Sequence, residues 1–410
     1  MSPFRRTLPT LTLVVALSAL AGSWWTASRP ALRAPPTAAV DLLPLWLGAG
    51  LVLEGADPTD SKAAEARFTA EGLPMRPGGF FSYYPPTASL LALPLRALSF
   101  RNAVELWRVV CSLSTPLGVM LAALAGFAAL DSGLRLRWRQ ALTTAALIGA
   151  LAVLARPARI VLPTGQPGPI VVLFTGAALL FLALDKPRSA AVLATLGAAV
   201  KLVPGVMLPI FLVRRQWGAA VASAGVVVGL GAGLFAFGVA VHLVEWVREL
   251  VGFVGRGPLP SWSAEPPWLL ALWRWRVVLV TVGFVVALAV AWRRGVVTAT
   301  ALDLAALAVA SVGVVLAGSH HYHEALILLP ALAHALAWPA QMPRSRVAWL
   351  GAVALCLVCA LGWPAFAPRG RPDSLHWLAI GAALWGVCCV RAVGMAAPRP
   401  RPAAAGGGVP

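Results

Sequence analysis

Residues 186–216 read KPRSAAVLATLGAAVKLVPGVMLPIFLVRRQ. Two basic pairs, Lys186/Arg188 and Arg214/Arg215, bracket an apolar run that is interrupted at Lys201-Leu202-Val203-Pro204. Short loops rich in Lys and Arg stay on the cytoplasmic side of a membrane, so the two pairs should share a side. Read as a single span, the run would put the later basic pairs outside. Read as two half-helices turning at Lys201–Pro204, it keeps every pair inside, and a proline, which lacks a backbone donor, supplies the break. The second reading sets the topology of everything around it.

Apolar stretches of about 18 residues, each enough to cross a hydrocarbon core, recur on both sides of this segment. Spans are predicted near 8–27, 104–130, 140–155, 168–184, 217–240, 277–292, 299–317, 324–338, 346–365 and 376–391. The chain is 59% hydrophobic and 12% charged, with a mean hydropathy of +0.81. A soluble domain has about a quarter of its residues charged, so this one lacks the polar cover it would need in water. The net charge of +18 does not mark a nucleic-acid partner. The basic residues fall mostly in pairs between apolar runs, among them Arg135/Arg137/Arg139, Arg293/Arg294 and Arg344/Arg346, where the positive-inside bias accounts for them. Cys111, Cys356, Cys359, Cys388 and Cys389 all lie in apolar segments and read as small buried hydrophobes.

The expectation is therefore an all-α polytopic membrane protein of about 10–12 transmembrane segments with broken helices and outer-surface amphipathic helices. Arg5 and Arg6 precede the first apolar run, which ends in the interface pair Trp24-Trp25 and reads as a retained span rather than a cleaved signal peptide. Residues 1–395 form one integral-membrane domain, with 28–100 a large extracytoplasmic loop and 396–410 a disordered cytoplasmic tail. Within the loop, the spacing of Leu42, Leu45 and Trp46 predicts a helix from Asp41 to Leu53 lying along the membrane surface. A second surface helix is predicted from His242, with Trp246 and Phe253 on its apolar side.

Polar groups at membrane depth are costly, so each is a candidate site. Asp41, the first acid after the first span, suits a general base on a sugar hydroxyl or a cation ligand, and equally the N-cap of the helix that follows it. Tyr83-Tyr84-Pro85-Pro86 reads as a rigid turn whose aromatic rings can stack on a sugar or a lipid headgroup. Gln166, in the polar island Thr164-Gly165-Gln166, both donates and accepts hydrogen bonds, as a hydroxylated ligand requires. Lys201 is an ammonium in an apolar run, at an insertion cost of roughly 2.5–3.5 kcal/mol that an anion such as a phosphate would offset. Asp303, another acid placed within a span, is an alternative structural partner for it. Ser319-His320-His321-Tyr322-His323-Glu324 has the donors of a zinc site, but adjacent His320 and His321 point different ways on a helix and no HExxH frame is present. Contact with a phosphate or hydroxyl fits those imidazoles as well, and no metal or other cofactor is expected.

The series of an Asp just after the first span, Tyr-Pro-Pro, Gly-Gln at the outer end of a later span, Lys-x-x-Pro and a His-rich start to a late span resembles the C-superfamily integral-membrane glycosyltransferases. The specific resemblance, over about residues 41–330, is to glycosyltransferase family 87, polyprenyl-phosphate-mannose-dependent mannosyltransferases and their relatives. It implies an inverting hexosyltransferase of the plasma (inner) membrane with its active site on the extracytoplasmic side, working in envelope glycan or glycolipid biosynthesis. Its partners would be a polyprenyl-phosphate sugar donor, a lipid or glycan acceptor and membrane lipids, with no nucleic acid. The resemblance makes Asp41 the base, sets Lys201, His320 and His321 near the donor phosphate with His323 beside them, and has Tyr83, Tyr84 and Gln166 line the cavity. Two other classes remain open on the residues alone: a transporter or flippase of an anionic substrate, and a glycan polymerase or ligase using diphosphate-linked donors.

Overall fold

The protein's computed structural model describes residues 3–73, 84–128, 134–255, 267–294, 298–317 and 326–336, with Leu384, Trp385 and Cys388 besides. Tyr83, His320, His321, His323 and the predicted span 346–365 lie outside the described residues. Within them every regular element is helical. The chain is an all-α polytopic membrane protein. The first long helix α1 (Pro3–Leu32) leads into the short helices α2 (Leu42–Leu53), α3 (Ser61–Ala70), α4 (Pro86–Leu91) and α5 (Leu93–Arg96). Then come α6 (Phe100–Ala128), α7 (Leu134–Leu154), α8 (Arg156–Thr164), α9 (Gly168–Ala183), α10 (Pro187–Val200) and α11 (Leu208–Val213). The series closes with α12 (Trp217–Ala236), α13 (Val241–Gly255), α14 (Pro267–Arg294), α15 (Thr298–Ala317) and α16 (Leu328–Leu336).

Three of these are long and apolar enough to cross a membrane unaided: α1, α6 and α12. The predicted span at 140–155 belongs to a bent pair, since α7 and α8 meet at 64° where Arg156-Pro157 starts a new helix. The predicted spans at 168–184, 277–292 and 299–317 fall on α9, α14 and α15, and that at 324–338 overlaps α16. Large side chains on the outer faces of α1 and α12, such as Val14, Val228 and Phe235, are exposed, as a surface solvated by lipid tails requires.

The centre is the crossing of α6 over α9. Gly118 and Gly176 meet backbone to backbone there, leaving no space for a Cβ on either. Small residues let helices approach where apolar burial gives no drive, because lipid is as apolar as leucine. Ala122, Ala125, Val172 and Leu179 pack around the crossing.

The segment at 186–216 reverses direction, as the charge pattern required. Lys201 leaves the helical region (φ −157°, ψ 125°) at the end of α10, and a 3-10 turn from Val203 to Met207 leads into α11. Pro204 folds back on Gly197, where a Cβ would stand 2.9 Å from its Cγ. At the open end Arg214 reaches Asp185 at 3.5 Å, the Arg188 guanidinium lies over Gly218, and Arg215 lies 5.7 Å from the Trp292 ring. Both ends of the hairpin thus share one end of the bundle with the close of α14. Burial lowers the Arg214 guanidinium from its ordinary value, and Asp185 opposes that shift. Fourteen residues in α10 give an arm of about 21 Å, which puts Lys201 well inside a core about 30 Å thick.

One expectation is overturned. Helix α2 does not offer an apolar stripe to a lipid surface, because Leu42, Leu43, Leu45, Trp46, Leu47, Ala49, Leu51 and Val52 are all buried within the protein. It carries no charged side chain to turn toward water, and a helix that is apolar all round belongs in a core. It forms that core with Phe68 of α3, Ala88 of α4 and Val104 of α6. Arg96 covers it, its guanidinium 3.9 Å from the Trp46 ring and its charge on Glu71, which Arg67 also holds.

Candidate active site

The candidate residues within the described chain fall into two groups. The first surrounds Asp41. Helix α8 ends at Gly165, whose φ of +73° is the left-handed conformation that a Cβ disfavours. The Asp41 amide donates to the Thr164 carbonyl at 2.8 Å, and Leu42 packs so near that a Cβ on Gly165 would stand 2.9 Å from its own. Gln166, 4% exposed, follows directly, with its backbone carbonyl facing the Cys111 thiol at 3.7 Å.

Asp41 stands at the N-cap position of α2 but does not cap it: the residue is in helical conformation and its carboxylate accepts no backbone amide. The backbone around it is held by two neighbours on α6. Trp107 donates its indole N–H to the Gly165 carbonyl at 2.7 Å. Arg108, 2% exposed, donates to the carbonyls of Ala34 at 2.6 Å, Pro35 at 3.1 Å and Pro163 at 2.9 Å. A single guanidinium thus ties the strand leading to Asp41 to the end of α8 that receives Asp41's amide.

The second group surrounds Lys201 at the hairpin tip. Its amide still bonds the Gly197 carbonyl at 3.0 Å, closing α10. One residue earlier than the last of that helix, the Ala199 carbonyl accepts the Thr87 hydroxyl at 2.7 Å. Thr87 is the second residue of α4, which Pro86 opens, and Pro85 in extended conformation sets the chain up for that helix. Tyr84 is half-buried against the core built on α2. The structure therefore ties the helix that begins in the Tyr-Pro-Pro turn to the last turn of α10, next to Lys201 in the chain.

No hydrogen bond or ion pair joins Asp41 to Lys201. The groups communicate through α4, which packs Ala88 and Ser89 on α2 and Thr87 on α10. Asp303 also meets His334, Oδ1 to Nε2 at 3.2 Å, both side chains 2% exposed.

Arg108, Trp107 and Thr87 escaped the sequence reading. The signal that could have found Arg108 is the one that marks Lys201, a charge inside an apolar run. Asp57, His242 and Glu245 also come together, at the C-terminal end of α12. The family model of glycosyltransferase family 87 matches residues 81–319, more than half of the chain. Tyr83, Tyr84, Gln166 and Lys201 lie within the match; Asp41 precedes it and the histidine cluster follows it. No curated protein matches the chain.

Proposed function

The chain belongs to glycosyltransferase family 87, and from that premise we propose that it moves a mannosyl residue from a polyprenyl-phosphate donor to a lipid or glycan acceptor. The reaction inverts the anomeric carbon and takes place on the side opposite the basic loops, at the plasma membrane of the cell. Asp41 is the base. It takes the proton of the acceptor hydroxyl while that oxygen attacks the anomeric carbon from the face opposite the phosphate. The bond from that carbon to the phosphate oxygen breaks, and polyprenyl phosphate leaves with the electron pair.

Lys201 meets the charge that develops on the leaving phosphate. An ammonium held away from bulk water stabilises such charge far better than a hydrated one. His320 and His321 approach the same phosphate, with His323 beside them. Tyr83 and Tyr84 present ring faces to the sugar, and Gln166 hydrogen-bonds a hydroxyl. No metal takes part in this reading.

Asp41 carries the proposal. Its backbone is fixed by the 2.8 Å bond to Thr164, yet its carboxylate makes no hydrogen bond or ion pair with any described residue. A folded chain that fixes a carboxylate's position and leaves its oxygens uncommitted has the arrangement that proton acceptance needs.

The test uses purified protein in detergent with no ion gradient, polyprenyl-phosphate mannose and an envelope lipid extract. The wild type should release polyprenyl phosphate and form a mannosylated product. Asp41→Asn should lower the rate by about 10²–10⁴-fold, the usual worth of a general base, at unchanged chromatographic behaviour. An Asn variant with the full rate would remove Asp41 from the mechanism. A wild type that turns over the diphosphate-linked donor and ignores the monophosphate would reject the donor class.

A further inference from the structure

At the C-terminal end of α12, three side chains converge from two segments far apart in the chain. Asp57 comes from the link between α2 and α3, and His242 and Glu245 come from the first turns of α13. His242 Nδ1 lies 2.8 Å from Glu245 Oε2 and 3.6 Å from Asp57 Oδ2. One ligand atom from each residue falls within 4.8 Å of the other two. Ligands about 2.1 Å from one zinc ion stand about 3–3.5 Å apart, so small rotations bring this set to metal spacing.

Charge supplies a separate observation. The chain is strongly basic, and four of its described acids meet arginine: Glu54 on Arg67, Glu71 on Arg67 and Arg96, Glu105 on Arg101, Asp185 on Arg214. Asp57 and Glu245 have no Arg or Lys within ion-pair reach among the described residues and turn instead on the same imidazole. Two carboxylates held this near each other repel unless a cation lies between them. Asp57 is also oriented from behind. Its Oδ1 accepts the Thr59 amide at 2.8 Å and the Thr59 hydroxyl at 2.7 Å, which directs Oδ2 to His242. Metal-ligating carboxylates are held by outer partners of this kind.

We propose that Asp57, His242 and Glu245 bind one divalent cation of the zinc class, with water completing its coordination. An imidazole nitrogen with two carboxylate oxygens suits Zn2+ better than Mg2+ or Ca2+, which take oxygen ligands. The ion would fasten α13 to the linker that leaves the buried helix α2. Phe237 packs beside Gly55 and Leu243 beside Val239 just below it, so the ion would close the wet edge of an apolar seam. This inference stands apart from the transfer reaction and needs neither Asp41 nor Lys201.

Histidines 320, 321 and 323 are competing zinc donors, so the test starts from a His320→Ala/His321→Ala/His323→Ala background purified in detergent. Zn2+ bound per chain is measured by equilibrium dialysis against a competing chelator. The background protein should bind one Zn2+, undisplaced by excess Mg2+. His242→Ala and Asp57→Asn, each added to it, should weaken binding at least tenfold. Thr59→Val should weaken it by about tenfold, the lower end of outer-shell effects. Asp57→Asn keeps its shape and decides the matter if His242→Ala is not monodisperse. No bound zinc in the background protein, or equal affinity with and without the Asp57 carboxylate, overturns the site.

Discussion

Arg108→Lys isolates the positioning of Asp41 from its chemistry. The guanidinium makes three bonds of 2.6–3.1 Å to carbonyls on two segments, Ala34 and Pro35 on one and Pro163 on the other. Hydrogen bonds to a charged group are worth about 1.5–3 kcal/mol each, and a buried acceptor left unmet costs about 1–3 kcal/mol. A lysine ammonium keeps the charge but lacks the planar fork that reaches both segments at once. It can hold one segment, so one or two of the three bonds are lost, a destabilisation of about 2–5 kcal/mol. The lost tie is the one between the strand leading to Asp41 and the helix end that receives the Asp41 amide. Misplacing a catalytic group by about 1 Å costs roughly 10²-fold in rate. Arg108→Lys should therefore lower the melting temperature in detergent and reduce turnover about 100-fold with a nearly unchanged KM for the donor. Trp107→Phe removes only the single indole bond to Gly165 at 2.7 Å and keeps most of the ring bulk. A neutral hydrogen bond is worth about 1 kcal/mol, so turnover should fall about fivefold. Scanning fluorimetry and release of labelled polyprenyl phosphate in proteoliposomes give both readouts. Wild-type melting and turnover in Arg108→Lys would show that the clamp positions nothing. Loss of turnover here with full activity in Asp41→Asn would mean that the clamp serves some other group.

The remaining predictions concern the frame. Gly176→Val should prevent a monodisperse protein from forming, because a side chain there has only the Gly118 backbone to occupy; a Val variant that elutes and melts like wild type would refute the close crossing. Single cysteines at Arg188 and Arg215, placed in a cysteine-less chain, should both be shielded from an impermeant maleimide in right-side-out vesicles and both react in inside-out ones. Labelling from opposite sides would replace the hairpin with a single span.

The hairpin was legible because the positive-inside rule constrains parity. One misassigned crossing would invert every basic loop after it, so Lys186/Arg188, Arg214/Arg215 and Arg293/Arg294 vote together, and Lys201-Leu202-Val203-Pro204 marks where the chain can turn. The surroundings of Asp41 were legible only as a list of residues. Which carbonyls Arg108 meets depends on where α8 ends relative to the strand after α1, and nothing within several residues of Arg108 encodes that. Helix α2 failed for a different reason. Leu42, Leu45 and Trp46 have the spacing of an apolar stripe, but the opposite face offers Leu43, Leu47 and Gly50 rather than anything charged, and the stripe is part of an apolar cylinder. Periodicity marks a surface helix only where polar residues occupy the other positions. With α2 inside, Asp41 is the polar end of a buried helix and not part of a surface one. Its carboxylate then starts where apolar packing stops, between the end of α8 and the first turn of α2. A proton acceptor placed on that boundary can stay reachable by a hydroxyl while the backbone behind it stays rigid.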